Sequence, residues 1–185
     1  MKKIAFCICG SFCNHKKALS VLGELVTSGY DVTPIFSDIV CKTSTRFGSK
    51  EELEAEVRLI CGKDVIKNIV EAEEKITNHG ISCVVICPCS GNTLAKIANG
   101  INDTAVTMAV KCQLRNNNPV LIALATNDGL GASLQNIAAC NIRKHLYFVP
   151  MAQDDPVGKP NSLICDFSKT AAFLAKIIAT NDDLQ

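Results

Sequence analysis

The sequence predicts a doubly wound α/β domain, a parallel sheet with helices on both faces, and three observations predict it. Short apolar runs rich in Val, Ile and Cys recur along the chain, the pattern of strands covered on both faces. Longer segments with apolar residues at three- and four-residue steps lie between them, the spacing of helices with one buried stripe. Small and polar residues follow nearly every run, and an open parallel sheet binds its ligands beyond those strand ends.

The elements follow in order. Lys3–Cys9 reads as the first strand, and Lys16–Ser28 as a helix whose Ala18, Leu19, Leu22, Leu25 and Val26 form one stripe closed by Gly29. Asp31–Phe36 is the second strand, followed by helical spacing over Lys50–Cys61 and Val65–Asn78. Ser82–Cys87 is the third strand, ahead of helices at Leu94–Gly100 and Thr104–Asn116. Pro119–Ala125, a helix at Leu130–Cys140 and a strand at His145–Val149 continue the alternation, which implies βαβ units. Met151–Ser162 carries two prolines, a glycine and clustered charges, so 151–167 reads as a loop or arm before a C-terminal helix at 168–180. The whole chain, 1–185, reads as a single domain.

Composition narrows the function classes. Net charge is +1, from 19 basic and 18 acidic residues with no block of like sign, so neither nucleic acid nor a membrane surface is an expected partner. Met1-Lys2-Lys3 leads into only a short apolar run before Gly10, and no run approaches the roughly 18 residues of a membrane span. A cytoplasmic protein is expected. Its eleven cysteines include no CxxC pair; Cys7/Cys9 and Cys87/Cys89 are CxC, which a regular strand would place on one face. They read as small buried hydrophobes, and no metal site is predicted.

The strand ends carry the chemistry. Cys9-Gly10-Ser11 lies between a strand and a helix, where free backbone N–H groups favour a phosphate. With one glycine and no GxGxxG, a single phosphate fits better than a pyrophosphate, hence a mononucleotide such as FMN better than NAD. In Cys87-Pro88-Cys89-Ser90-Gly91-Asn92-Thr93, Pro88 should end the ladder and Thr93 cap a helix from Leu94, with Ser90 and Asn92 offering polar groups and Gly91 close backbone approach. Ser37-Asp38, Thr126-Asn127-Asp128-Gly129 and Gln153-Asp154-Asp155 complete the strand-end set.

Pro88 to Gly100, with Asp103, resembles the PxSANTxxKxAxGxxD signature of the homo-oligomeric flavin-containing cysteine decarboxylase family. The resemblance implies a Rossmann-like, three-layer flavoprotein sandwich and a homo-oligomer. It assigns FMN contacts to Gly10, Ser11, Ser37, Pro88, Ser90, Gly91, Asn92, Thr93 and Asn127, with Lys16 beside the first turn. The family's PAMN is reduced to Asn127, and SANT reads SGNT. A histidine that these decarboxylases place ahead of the PxSANT strand has no clear counterpart among His15, His79 and His145. Thr45–Gly48, Ile69–Glu73, the stretch from Ala109, Ala125–Gly131 and the segment from Tyr147 resemble one branch of that family. That likeness implies an oxidoreductase subunit whose partner carries NADP and whose substrate is a small dicarboxylate.

On this reading, Glu71 or Glu73 moves a proton, while Arg46, Lys96, Lys111 and Arg115 are candidates to bind substrate carboxylates, Lys111 and Arg115 lying four apart on one helical face. Two alternatives stand beside it: a non-catalytic protein that stabilises its partner or delivers substrate to it, and an FMN-dependent decarboxylase of a cysteine-containing substrate.

Overall fold

The structure is a computed structural model that describes residues 1–183. Among these residues, seven strands form one sheet in the order β2-β1-β3-β4-β7-β6, with β5 also paired to β4. Strands β1 (Lys3–Ile8), β2 (Asp31–Phe36), β3 (Cys83–Cys89), β4 (Val120–Thr126) and β5 (Leu146–Phe148) run parallel. Helices α1 (His15–Thr27), α2 (Asp38–Lys42), α3 (Lys50–Cys61), α4 (Ile69–Asn78), α5 (Gly91–Ala98), α6 (Ala105–Arg115), α7 (Leu134–Asn141) and α8 (Thr170–Asp182) connect and cover them.

The period-2 alternation of β1 divides the core into two layers. Ile4, Phe6 and Ile8 pack with Leu22, Leu25, Val57, Leu174 and Ile178 on one face. Ala5, Cys7 and Cys9 pack with Ile76, Leu94, Ala105 and Ala109 on the other. The result is the expected three-layer α/β sandwich. No helix among the described residues is long and apolar enough to cross a membrane.

Four local expectations change. Val65 and Ile66 do not open a helix: Ile66 bridges Ile35 in parallel, its N–H donating to Pro34 O and its carbonyl accepting from Phe36 N. Asn68 then caps α4 by accepting from Glu71 N. Pro88 does not end β3. The Cys87–Pro88 peptide is cis, the register against β4 shifts between Ile86 and Cys89, and Cys89 still pairs with Leu124. Because Pro88 has no N–H to give the ladder, the strand bulges there. Cys87 and Cys89 consequently face opposite core layers instead of sharing one.

Third, α5 starts three residues early. Ser90, not Thr93, is its cap, accepting from Thr93 N at 3.3 Å, so Gly91, Asn92 and Thr93 form its first turn. Finally, the expected arm is a hairpin: β6 (Met151–Ala152) pairs antiparallel with β7 (Leu163–Cys165), which pairs antiparallel with Ala125 and Thr126 of β4. Its loop is held by Gln153 Nε2 donating to Pro160 O at 2.6 Å and Leu130 N donating to Asn161 O at 2.9 Å. The upper half of β4 offers β7 an open edge, because β5 pairs only with its lower half.

Candidate functional site at the strand tips

The tips of β1, β3 and β4 and the hairpin enclose a cavity of about 620 Å3, whose lining includes Ser11, Lys17, Ser90, Gly91, Asn127 and Asp128. At the end of β1, Ser11 adopts a left-handed backbone (φ 62°) and its Oγ donates to Ala125 O at 2.7 Å, tying β1 to β4. A Cβ on Gly10 would meet Ser90 Cβ at 3.7 Å, so the first and third strand tips lie close together. From the hairpin side come Asp154, Lys159, Ser162, Leu163 and Ile164.

Electrostatics are set by local hydrogen bonds. Hydroxyl donors from Thr126 and Ser133 hold the Asp128 carboxyl below its ordinary range. The Ser162 hydroxyl and the Lys159 ammonium do the same for Asp154, which in turn raises Lys159. Lys17 Nζ stands 5.7 Å from the centroid of the Phe167 ring. Behind the cavity, Ser37 Oγ is buried without a nitrogen or oxygen partner among the described residues, next to the Cys9 thiol.

Of the residues predicted for cofactor, Ser11, Ser90, Gly91 and Asn127 line the cavity. Gly10, Ser37 and Thr93 are packed at or behind the same strand tips. Pro88 accepts from Cys9 N through its carbonyl, and Asn92 is exposed on the first turn of α5. Lys16 lines a separate depression between α1 and α3, with Phe47 and Glu56. His15 is buried, its Nε2 donating to Cys9 O at 2.9 Å, and burial lowers its pKa.

The predicted catalytic and substrate residues lie elsewhere. Glu71 borders a depression with Thr33, Lys63 and Lys75, and Glu73 is exposed on α4. Arg46 lies 4.9 Å from the Phe47 ring, Lys96 donates to Asp103 at 2.7 Å, and Lys111 and Arg115 share a depression with Arg143. None of these six lines the strand-tip cavity. The spacing of Lys111 and Arg115 correctly puts them on one helical face, but that face turns away from the sheet. The cations that do line the cavity, Lys17 and Lys159, were not selected from the sequence. The signal for Lys17 was its place on the first turn of the helix after the Gly10-Ser11 tip; for Lys159 there was none.

Comparisons with known proteins agree with this architecture. The chain is 37% identical over 163 residues to the B subunit of dipicolinate synthase from Bacillus subtilis (strain 168), covering 88% of this chain and 82% of that protein. It is similar to the crystal structure of the dipicolinate synthase B subunit from Bacillus halodurans, with a TM-score of 0.88, 33% identity and coverage of 96% and 91%. The FMN-dependent cysteine decarboxylase SpaF shares the fold at a TM-score of 0.74 and 17% identity, over 97% of both chains. The Flavoprotein family profile matches residues 1–178, and together with these strand tips it establishes that the chain belongs to the Flavoprotein family.

Proposed function

We propose that this chain is the B-type subunit of a dipicolinate synthase. Acting with an A-type subunit that carries NADP, it oxidises a dihydrodipicolinate-level precursor to dipicolinic acid in the cytoplasm of a sporulating bacterium's mother cell. The observation that carries the reading is the strand-tip cavity, where Lys17 offers a cation to a carboxylate amid hydroxyl and amide groups, beside Lys159 in its pair with Asp154. The sequence likeness to the Bacillus subtilis protein supports it.

The residues present fit the phosphate of a mononucleotide: the unpartnered Ser37 Oγ, the Gly10-Ser11 turn and the α5 N-terminus converge. FMN, when bound, would supply a two-electron acceptor there. The chain's own residues then bind and orient the substrate: Ser11, Ser90 and Asn127 from the strand tips, Lys17 and Lys159 from the flanks. The homo-oligomer implied by the family resemblance belongs to the same proposal.

The decarboxylase alternative has less support, since none of the three histidines lines the cavity. The choice between a catalytic role and a merely stabilising one is made by reconstitution. Dipicolinate formation from freshly generated dihydrodipicolinate should require this chain, NADP and the A-type partner together. Undiminished product without this chain would sink the proposal, and a further requirement for FMN would make the chain a working flavoprotein.

A second prediction concerns recognition. Lys17→Ala should weaken dipicolinate binding about fivefold to tenfold, the effect of losing roughly 1 kcal/mol of charge-assisted contact. Calorimetric titration of the assembled enzyme reads this directly, and Lys16→Ala, outside the cavity, should leave the affinity unchanged.

A further inference from the structure

A glycine at the start of α5 makes room for a carboxylate in the cavity wall. A Cβ on Gly91 would lie 2.8 Å from Thr126 Oγ1, closer than such atoms pack, and in tight contact with Ser133 Oγ at 3.0 Å and Asp128 Oδ1 at 3.3 Å. Those three side chains form one network. Thr126 Oγ1 donates to Asp128 Oδ1 at 2.5 Å, and Ser133 Oγ, on a buried residue, donates to the same oxygen at 2.8 Å. The turn is fixed as well, since Asp128 O accepts from Gly131 N at 2.9 Å and Ser133 N at 3.2 Å.

Oδ1 is therefore committed to the protein, whereas no side-chain donor among the described residues reaches Oδ2. The charged or titratable groups that line the same cavity are Cys13 and Lys17 beside and on α1, and Asp154 and Lys159 from the hairpin loop. None forms an ion pair with Asp128: Lys159 is paired with Asp154, and Lys17 lies over Phe167. Hydroxyl donors from Thr126 and Ser133 keep the carboxylate ionised. An ionised carboxylate, oriented through one oxygen and unused at the other, is equipped to accept a proton from a bound ligand.

We propose that Asp128 is the proton acceptor in the oxidation, a catalytic residue positioned by Thr126, Ser133 and the bare Gly91; the proposal rests on the synthase reading above. A ring C–H bond of the dihydropyridine dicarboxylate breaks, its electron pair leaving as hydride to an oxidised nicotinamide. The ring N–H bond breaks, its pair remaining in what becomes an aromatic pyridine, and the proton forms an O–H bond at Asp128 Oδ2. The substrate loses two electrons, the nicotinamide gains them, and Asp128 later returns its proton to water.

The test is steady-state kinetics of the reconstituted two-component enzyme over a range of pH. Asp128→Asn should lower kcat about 10²- to 10⁴-fold, with KM changed less than about threefold, and should remove the acidic limb of the kcat/KM profile. Asp128→Glu should recover part of the loss. Thr126→Val, which removes one donor to the carboxylate, should move the acidic limb to higher pH. Gly91→Ala should lower kcat as well, and combining it with Asp128→Asn should cost little more, because both disable one unit. Wild-type kcat and an unchanged acidic limb in Asp128→Asn, in an enzyme that still requires this chain, would overturn the assignment and leave the synthase reading intact. Full product without the chain would overturn both.

Discussion

Between about pH 9 and pH 11 the protein should lose a large part of its folding free energy. Burial pushes the Cys9 thiol up from an ordinary 9.0 to about 11 and Cys165 up to about 12. Burial also raises Cys7, Cys83, Cys87 and Cys89 strongly, all of them completely shielded within the sheet. In the unfolded chain these thiols ionise at their ordinary value, about 8.5–9, while in the fold they stay protonated. Above the unfolded value the native state therefore holds more protons than the unfolded chain, and stability falls with pH until each folded value is passed. Each such thiol costs about 1.4 kcal/mol per pH unit in that window, and several act together against a total of about 5–15 kcal/mol. Urea melts followed by circular dichroism at pH 8, 9, 10 and 11 would read the slope. Cys83→Ala should flatten it, and a stability independent of pH up to 11 would refute the account.

Gly129→Ala should detach the hairpin. A Cβ there would stand 2.6 Å from Leu163 Cβ and 2.7 Å from its Cγ. No rotamer change relieves the first contact, because a Cβ moves only with its backbone, and Leu163 is held opposite Thr126 in the β4–β7 pairing. Relief requires β7 to leave β4, and Leu163 and Ile164 are part of the cavity wall. Overpacking of this kind costs about 1–3 kcal/mol, which lowers Tm by several degrees in a chain of this size. Ligand affinity should fall more than stability does, since the wall is lost while the core layers stay packed. Leu163→Gly in the same chain should recover part of the lost stability by removing the clash, and a double-mutant cycle on Tm measures the coupling. Unchanged affinity in Gly129→Ala would show that the hairpin does not form the site.

The parallel strands were legible because each is buried on both faces, so its sequence is a continuous apolar run whatever packs on it. Misreadings occurred where a residue's role depended on a neighbour distant in sequence. Val65 and Ile66 have apolar spacing compatible with a helix, but β2 offered them a free edge. Ser90 and Thr93 both have capping chemistry, and local pattern cannot rank them until the strand's exit from the cis Cys87–Pro88 bulge places Ser90 at the helix start. Met151–Ser162 has loop composition, and only the uncovered upper half of β4 turns its ends into strands.

The site divides in the same way. Ser11, Ser90, Gly91 and Asn127 could be selected in advance, because topology alone sends the carboxyl ends of parallel strands to one edge, and short polar residues there have few structural duties. Charged residues on the helices could not be selected so. Lys111 and Arg115 lie on one face of α6, yet that helix buries Ala105, Ala109 and Cys112 against the sheet and turns its cations outward.

By itself the sequence determined the α/β layers, the order of the principal strands and helices, and the strand ends that border the cavity, since hydrophobic period and turn chemistry are properties of neighbouring residues. Only the tertiary structure decided that a hairpin closes the cavity, that Lys17 and Lys159 line it while Glu71 and Arg46 do not, and that Gly91 is bare to admit Thr126 and Asp128. Those are contacts between segments far apart in the chain, fixed by which edge was open and which helix face was already buried.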